Sequence, residues 1–172
     1  MDFILQRRSI RQFEKTEMSK EDVEKILLAG QSAPSGCGKY PMEYIVLQKQ
    51  EDLDWVAQNH PYSRFTDKAA LCVIVCIVPS KAADFGSQMT FATIDAGAAC
   101  ENMIIAARTL GYESTWTAIY PNKAIEAPFV EHFKIPEGCI PIAGISFGHK
   151  SPECHVTPVD KHRPEQIHYN SW

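Results

Sequence analysis

Nine consecutive apolar residues, Ala70 to Val78, constrain the fold of this chain more than any other feature of its sequence. The run is rich in β-branched side chains, which favour a strand over a helix. Because no polar residue alternates with the apolar ones, both faces of such a strand must be covered. The run is also too short for a transmembrane helix, which needs about 20 apolar residues. We therefore expect a sheet with this strand at its centre.

In the rest of the sequence, the spacing of apolar residues predicts more helices than strands. We predict helices at residues 2–8, 20–31, 51–59, 90–110 and 123–133, and further strands at 43–48, 113–119 and 139–147. Ser19 and Asp22 resemble a capping box at the start of the second helix, and Gly111 suits the end of the fourth. Prolines and glycines make residues 33–41 a loop, and another loop spans 79–89. The 172 residues are expected to form one domain, 1–172, of mixed α and β structure.

The helix predicted at 90–110 contains many small residues between Ala92 and Ala107. Small side chains let two helices approach closely. This helix is therefore expected at the centre of the molecule or at a dimer interface.

The charge and the N-terminal residues exclude some classes of protein. The formal net charge is -4, whereas a general nucleic-acid binder concentrates positive charge over a face or a domain. The residues Met1, Asp2 and Phe3 lack the basic and apolar segments of a signal peptide. We therefore expect a cytoplasmic protein.

The six cysteines are expected to be free thiols, because disulfides are rare in the cytoplasm. The sequence has no CxxC pair and no Cys/His cluster with zinc-like spacing. Cys72 and Cys76 lie in the apolar run, so burial is expected for both. No metal site is expected in the tail either, because the spacing of its histidines fits no single helical face. These histidines are His149, His155, His162 and His168.

A basic cluster near the N-terminus contrasts with the acidic chain. Arg7, Arg8 and Arg11 flank the hydroxyl of Ser9 within five residues. Guanidinium groups match phosphate oxygens, and a hydroxyl adds a further donor. The local sequence leaves two interpretations open: an anion site, or a solvated basic turn after a short helix. A second basic pair in the tail favours the anion site, provided that the termini fold together. This pair consists of Lys161 and Arg163.

Five stretches, spread over nearly the whole chain, carry a further signal. They are Arg7–Phe13, Ala33–Gly36 followed by Pro41, Asp95–Asn102 continued through Leu110 and Gly111, Gly144–Gly148, and Lys161–Pro164. Each stretch alone is a weak signal. Together, their order and separations resemble the nitroreductase family of FMN-dependent oxidoreductases, in its short form.

The resemblance implies an α+β, nitroreductase-like fold. Its central sheet is mostly antiparallel, has four or five strands and is flanked by helices, and two chains form an intertwined homodimer with FMN at the interface. The implied activity passes a hydride from NADH or NADPH to a nitroaromatic, a quinone or a similar small-molecule acceptor by a ping-pong mechanism. The flavin carries this chemistry, so the resemblance implies no catalytic side chain and no metal.

The resemblance also implies four groups of FMN-binding residues. The N-terminal cluster would bind the phosphate, the ribityl chain and the pyrimidine edge: Arg7, Arg8, Ser9 and Arg11. The tail of the same subunit would close on the phosphate: Lys161 and Arg163. A loop would reach the flavin of the partner subunit: Pro34, Ser35 and Gly36. A strand would run past the reactive edge of the ring, with backbone amides directed at the nitrogen that receives the hydride: Thr117 and Ala118.

The loop after Ala33 departs from the family's pattern. The family often has Asn and Gln before the proline, where this chain has Gly38 and Tyr40. A side-chain amide contact to the flavin or its surroundings is therefore missing. The loop at 79–89 is also short, where larger relatives carry a helical excursion over the substrate face.

Four large side chains have open roles. Phe85, Met89 and Phe91 either cover part of the flavin or pack in the ordinary way. Trp116 either stacks on the flavin or lies in the core or at an interface.

Two functions stay open besides the reductase. One is a specialised member of the same fold that cleaves its own flavin with oxygen or oxidises an azoline ring, although the short loop offers little material for a lid. The other is a non-enzymatic, FMN-binding redox sensor, which Gly38 and Tyr40 leave open. No GxGxxG motif follows a strand, so the preference for NADH or NADPH is not encoded in a recognisable motif.

Overall fold

A computed structural model describes residues 2–157 and 159–172 of the chain, and in it helices pack on both faces of one sheet. The helices are α1 (Asp2–Leu5), α2 (Lys20–Gln31), α3 (Gln50–Asn59), α4 (Gln88–Thr109) and α5 (Lys123–His132). The strands are β1 (Met42–Leu47), β2 (Leu71–Ile77), β3 (Glu113–Ala118) and β4 (Ile140–Gly148). Apart from α1, every helix and strand begins and ends within two residues of its predicted bounds.

The sheet has the strand order β1-β2-β4-β3, and all its pairs are antiparallel. Val73 of β2 pairs with Val46 on one side and with Ile145 on the other. Every residue of β2 is buried. The prediction of a central strand covered on both faces is confirmed.

Alternate residues of β2 face different helical layers, as the pleat of a strand requires. Val73 and Val75 belong to the core cluster that contains side chains of α2 and α4. Ile74 and Cys76 belong to the cluster that contains side chains of α3 and α5. Burying a large aliphatic side chain contributes about 1.5–3 kcal/mol to the stability of the fold. The side chains of this one strand therefore stabilise the packing of both helical layers.

Helix α4 packs against α2, where Gly30 of α2 lies against Met103 of α4. Ala92, Ala96, Ala99 and Ala107 of α4 are completely buried in the same core cluster, and small side chains allow such close packing. The central position agrees with the prediction for this helix. Although α4 has 22 residues, no helix in the described part of the chain has the length and apolar composition that crossing a membrane requires.

The prediction of a helix over residues 2–8 was wrong at its C-terminal end. The helix ends at Leu5, and the Arg7 N–H then closes a turn on the carbonyl of Ile4. Beyond the turn the chain runs beside β3, where Ser9 forms a parallel bridge with Ser114. This distant pairing extends the backbone, so the basic cluster lies outside the helix.

The start of α2 follows the predicted cap only in part. The Ser19 hydroxyl accepts a hydrogen bond from the Asp22 N–H at 3.1 Å, as an N-cap does. The Asp22 carboxylate does not close the box on Ser19 but accepts from the Tyr112 hydroxyl at 3.0 Å. The hydrogen bonds of Ser19 and Tyr112 lower the pKa of Asp22. The cap thus also ties α2 to the segment between α4 and β3.

Replacing Gly30 by alanine is expected to destabilise the protein by up to about 2 kcal/mol. A Cβ at Gly30 would lie 2.8 Å from Cγ and 3.0 Å from Sδ of the buried Met103. Such overpacking costs about 1–3 kcal/mol, and the better helix propensity of alanine recovers at most about 1 kcal/mol. Urea unfolding measures the difference. Gln31→Ala, at an exposed position of the same helix, is the control and should change stability by less than about 0.5 kcal/mol. A more stable Gly30→Ala variant would contradict the tight packing of α2 on α4.

Candidate functional site

A slot of about 640 Å³ opens between β3 and the residues that follow α3. Arg11, Tyr62, Arg64 and Trp116 are among the residues that line it, and none of the described lining residues is acidic. Neither arginine forms an ion pair with another described residue. Two guanidinium groups and aromatic rings, with no carboxylate beside them, suit a flat ligand that carries negative charge.

The edge of β3 beside the slot carries backbone N–H groups that no neighbouring strand takes up. β3 is the last strand of the sheet. The carbonyl of Ser114 points away from the sheet and accepts from the Ile10 N–H at 3.0 Å, whereas the Ile119 N–H donates towards β4. Backbone groups alternate between the two edges of an antiparallel strand. The N–H groups of Trp116 and Ala118 therefore point to the free edge.

Thr117 is bonded into the sheet. Its backbone points to β4 by the same alternation, and its hydroxyl donates to the carbonyl of Gly144 at 3.1 Å. Of the two residues predicted on this strand, Ala118 thus offers an amide to a ligand, whereas Thr117 holds the strand in place.

Residues 60–66, which we call the anchored turn, are tied to the sheet by three buried polar side chains. Each of the three is at most 1 % exposed. His60 Nε2 bonds to the Ala118 carbonyl at 3.0 Å, the Ser63 hydroxyl donates to Thr117 Oγ1 at 2.8 Å, and the hydroxyls of Thr66 and Ser146 lie 2.8 Å apart. Their spacing of three residues is one turn of a 3₁₀-helix, so all three face the sheet. The sequence does not predict this motif, because polar residues between a helix and a strand are ordinarily solvated.

The anchored turn also supplies one wall of the slot. Tyr62 and Arg64 are exposed and line the slot. The buried side chains of His60, Ser63 and Thr66 point the other way, to the sheet. The sequence marks neither residue as functional. The alternation of buried polar and exposed residues after α3 becomes visible only in the structure.

The N-terminal cluster lies where the two ends of the chain meet. The Arg8 guanidinium donates to the carbonyls of Arg7 at 2.8 Å and Val159 at 3.2 Å. Its Nε is buried and has no partner among the described residues. Arg7 Nε lies 3.6 Å from a carboxylate oxygen of Glu101 on α4. The structure therefore meets the condition that the termini fold together.

The two predicted tail residues lie differently. Lys161 lines a cavity of about 540 Å³ together with Ile4 and Leu5, beside the start of the basic cluster. The Arg163 guanidinium instead donates within the tail, to the carbonyls of His162 at 2.7 Å and Asp160 at 3.3 Å.

The loop that contains Pro34, Ser35 and Gly36 does not line the slot of its own chain. The Gly36 N–H donates to a carboxylate oxygen of Asp95 at 3.0 Å, which fastens the loop to α4. The other Asp95 oxygen is buried without a partner among the described residues. Ser35 accepts from the Tyr40 N–H at 2.9 Å. The loop is thus held on the surface beside α4, away from the slot.

The three apolar side chains with open roles do not line the slot. Met89 and Phe91 pack against the core that α2 and α4 share. Phe85 is 69 % exposed, with its ring centroid 5.5 Å from that of Phe91. Within one subunit, ordinary packing describes Met89 and Phe91. Trp116 does line the slot and is partly exposed.

The buried cysteines are not nucleophiles. Cys72 and Cys76 are free and buried, as predicted. Burial raises the pKa of Cys72 and that of Cys100 to about 12 each. A thiol reacts as its thiolate, so these side chains stay inert near neutral pH.

The sequence matches known proteins over nearly its whole length. The model of the Nitroreductase family matches residues 4–74 and 54–149. A protein of Archaeoglobus fulgidus named "Putative NADH dehydrogenase/NAD(P)H nitroreductase" is 31 % identical over 173 residues, which cover 100 % of this chain and 98 % of that protein.

The fold matches solved structures equally well. A protein of the same name from Parabacteroides distasonis superposes with a TM-score of 0.89 at 29 % identity, covering 99 % of this chain and 97 % of that one. An FMN-dependent nitroreductase from Clostridium difficile gives a TM-score of 0.88 at 24 % identity, covering 99 % and 98 %, and this likeness concerns the fold alone. The match of the family model, the full-length relative and the fold agree, and the chain belongs to the nitroreductase family.

Proposed function

We propose that this protein is an FMN-dependent NAD(P)H oxidoreductase that works as a homodimer. NADH or NADPH delivers a hydride, and a nitroaromatic, a quinone or a similar acceptor then takes up the two electrons. Because one slot receives both compounds in turn, the mechanism is ping-pong. Membership of the family supports the general activity, and the chemistry of the slot supports the acceptor class.

The slot beside β3 is the observation that carries this proposal. Arg11 offers a guanidinium that has no carboxylate partner among the described residues, which matches the carbonyl-rich pyrimidine edge of an isoalloxazine ring. The N–H of Ala118 lies on the free edge of the strand, where it can donate to a ring nitrogen. Both donors are of the kind that a flavin ring requires, so the residues present fit the cofactor.

The junction of the termini fits the phosphate of FMN. The buried Nε of Arg8 lacks a partner among the described residues, and a phosphate oxygen would satisfy it. Arg7 and Ser9 adjoin Arg8 in sequence, and Lys161 lies beside α1. We assign these four residues and Arg163 to the phosphate and the ribityl chain. Arg163 would have to leave its present carbonyl partners to take part.

FMN, when bound, supplies the two-electron redox chemistry, and the chain binds and orients the reactants. Arg11 stabilises negative charge at the pyrimidine edge. The Ala118 amide, with Thr117 behind it, fixes the place of the reactive edge. Trp116 and Tyr62 offer aromatic faces on which a nicotinamide or a nitroaromatic ring can stack.

A second subunit accounts for features that one chain leaves unexplained. Leu5, Leu28, Phe85 and Ile94 are each more than 60 % exposed, and exposed apolar side chains in this number indicate an interface. The loop of Pro34, Ser35 and Gly36 is held by α4, so it would reach the partner's flavin as part of that interface. Phe85 would then lie at the interface instead of in water.

The visible absorption spectrum of the purified protein, followed by FMN addition and gel filtration, tests this proposal. We expect a two-band flavin spectrum that elutes with a dimer. Steady-state kinetics with NADH and a nitroaromatic should then give the parallel double-reciprocal lines of a ping-pong mechanism. Retained FMN without turnover would favour the redox sensor, and protein that binds no FMN would refute the assigned site.

Replacing Arg64 by alanine is expected to raise KM for an acceptor that carries a carboxylate, such as 4-nitrobenzoate, by up to about fivefold. The size follows from the roughly 1 kcal/mol that a solvent-exposed ion pair contributes. KM for uncharged nitrobenzene should stay the same, because Arg64 attracts the charge and not the ring. Lys68→Ala is the control, since Lys68 is an exposed cation of the same short helical segment, Arg64–Lys68, but does not line the slot. Equal changes for both acceptors would show that Arg64 does not select for charge.

A further inference from the structure

We propose that His60 is a positioning residue of this site: it holds the Ala118 carbonyl and thereby fixes the strand edge whose Ala118 N–H meets the flavin. The inference rests on the proposed function, because it concerns the place of FMN. His60 itself is 1 % exposed and does not line the slot. It therefore acts on the cofactor only through the backbone of β3.

The end of β3 needs such support. Ala118 is the last residue of the strand, and the edge on which its N–H and C=O lie has no neighbouring strand. An outer strand end without cross-strand bonds on one side frays easily. The His60 Nε2 bond of 3.0 Å supplies the partner that a further strand would otherwise supply.

The His60 ring is fixed in one orientation and one tautomer. Its Nδ1 accepts from the Tyr62 N–H at 3.2 Å, so the proton lies on Nε2, which donates to Ala118. The ring packs edge to face against Phe129, with centroids 6.0 Å apart, and against Tyr62, with centroids 6.2 Å apart. None of these neighbours is charged, and burial lowers the pKa of His60. The neutral donor therefore persists to a lower pH than it would in an exposed histidine.

Ser63 provides a matched comparison within the same turn. It is as deeply buried as His60, but it bonds to the Thr117 hydroxyl, which lies within the sheet and not on the free edge. A general loss of packing in the anchored turn would affect variants of both residues alike. Among the described residues of this turn, only His60 bonds to Ala118, the residue whose amide is assigned to the flavin.

Four variants separate these roles. His60→Phe keeps an aromatic ring but removes the donor. His60→Asn keeps an acceptor for the Tyr62 N–H but is too short to reach Ala118, and it serves if the phenylalanine variant does not fold. His60→Gln restores a donor of similar reach, and Ser63→Ala is the control.

The first measurement is the dissociation constant of oxidised FMN. We expect His60→Phe and His60→Asn to weaken FMN binding by about tenfold, the usual effect of losing one well-placed hydrogen bond. The dissociation constant of His60→Gln should stay within about threefold of the wild-type value. The same holds for Ser63→Ala, even if the melting temperature of this variant falls.

The second measurement uses the apoprotein and needs no cofactor. Amide hydrogen exchange at Ile119, whose N–H donates to the Ile142 carbonyl of β4 at the end of β3, should be at least tenfold faster in His60→Asn than in Ser63→Ala, since only the former loses a bond on the free edge. Nitrogen NMR of the wild type should show that the neutral Nε2–H tautomer predominates at pH 6.5, the ordinary pKa of histidine.

Three outcomes would overturn the inference. Equal loss of FMN affinity in Ser63→Ala and in His60→Asn would indicate an ordinary structural role. Unchanged affinity in all His60 variants of a protein that binds FMN would refute the role of His60 and leave the proposed function intact. Wild-type protein that binds no FMN would refute both.

Discussion

Arg11→Ala is expected to weaken FMN binding by about ten- to a hundredfold, the range for losing a hydrogen bond to a charged group. Arg11 is exposed, lines the slot and forms no ion pair with a described residue. Its removal therefore takes away a donor to the ligand without opening the core. The melting temperature of the apoprotein should not change. Titration of the apoprotein with FMN, followed by fluorescence quenching, gives the affinity.

Two further variants define what Arg11 contributes. Lys15→Ala removes one exposed positive charge from outside the slot, so its FMN affinity should equal that of the wild type. Arg11→Lys keeps the positive charge but loses the planar guanidinium group, so its FMN affinity should lie between that of the wild type and that of Arg11→Ala. Unchanged FMN affinity in Arg11→Ala would refute the assignment of the pyrimidine edge to this residue.

Phe129→Ala is expected to cause the largest loss of stability, about 3–5 kcal/mol. Phe129 is completely buried. Its ring lies 5.1 Å from that of Trp55, 5.9 Å from that of Phe133 and 6.0 Å from that of His60, measured between centroids. Truncation leaves a cavity among aromatic rings that cannot collapse freely. For a chain of this length the melting temperature should fall by about 6–20 °C.

Calorimetry of the apoprotein checks this value, with Tyr169→Ala as the control. Tyr169 is an aromatic residue of the tail that is 83 % exposed, so its truncation should cost less than about 0.5 kcal/mol. The loss of stability in Phe129→Leu should lie between the losses in Tyr169→Ala and Phe129→Ala. A loss below about 1 kcal/mol for Phe129→Ala would mean that α5 is not packed on the sheet as described.

The elements that the sequence predicts best are those whose signal is local or continuous. The predicted bounds of α2 agree with the structure, because Ser19 caps the helix and apolar residues recur at helical spacing behind it. The central place of β2 follows from its unbroken apolar run, since such a strand is stable only when covered on both faces. These signals depend on nearby residues or on composition alone.

The local sequence alone indicated the basic cluster as a candidate anion site, and the family resemblance implied a role for the strand at Thr117 and Ala118. The structure adds which backbone groups are free. Because side chains and amides alternate along a strand, only strand pairing decides that Ala118 and not Thr117 directs its N–H outwards. Register is set by contacts with β4, which the sequence of β3 does not contain.

Other features arise only when distant segments meet. α1 ends early because Ser9 pairs with Ser114, and the slot combines residues from the N-terminus, the anchored turn and β3. The polar side chains of that turn are bonded across separations of 54 to 80 residues. The sequence by itself thus determined the layers of the fold and the family to which the chain belongs. The tertiary structure alone decided how the slot is walled and held, because hydrogen bonds between distant residues leave no periodic pattern in the chain.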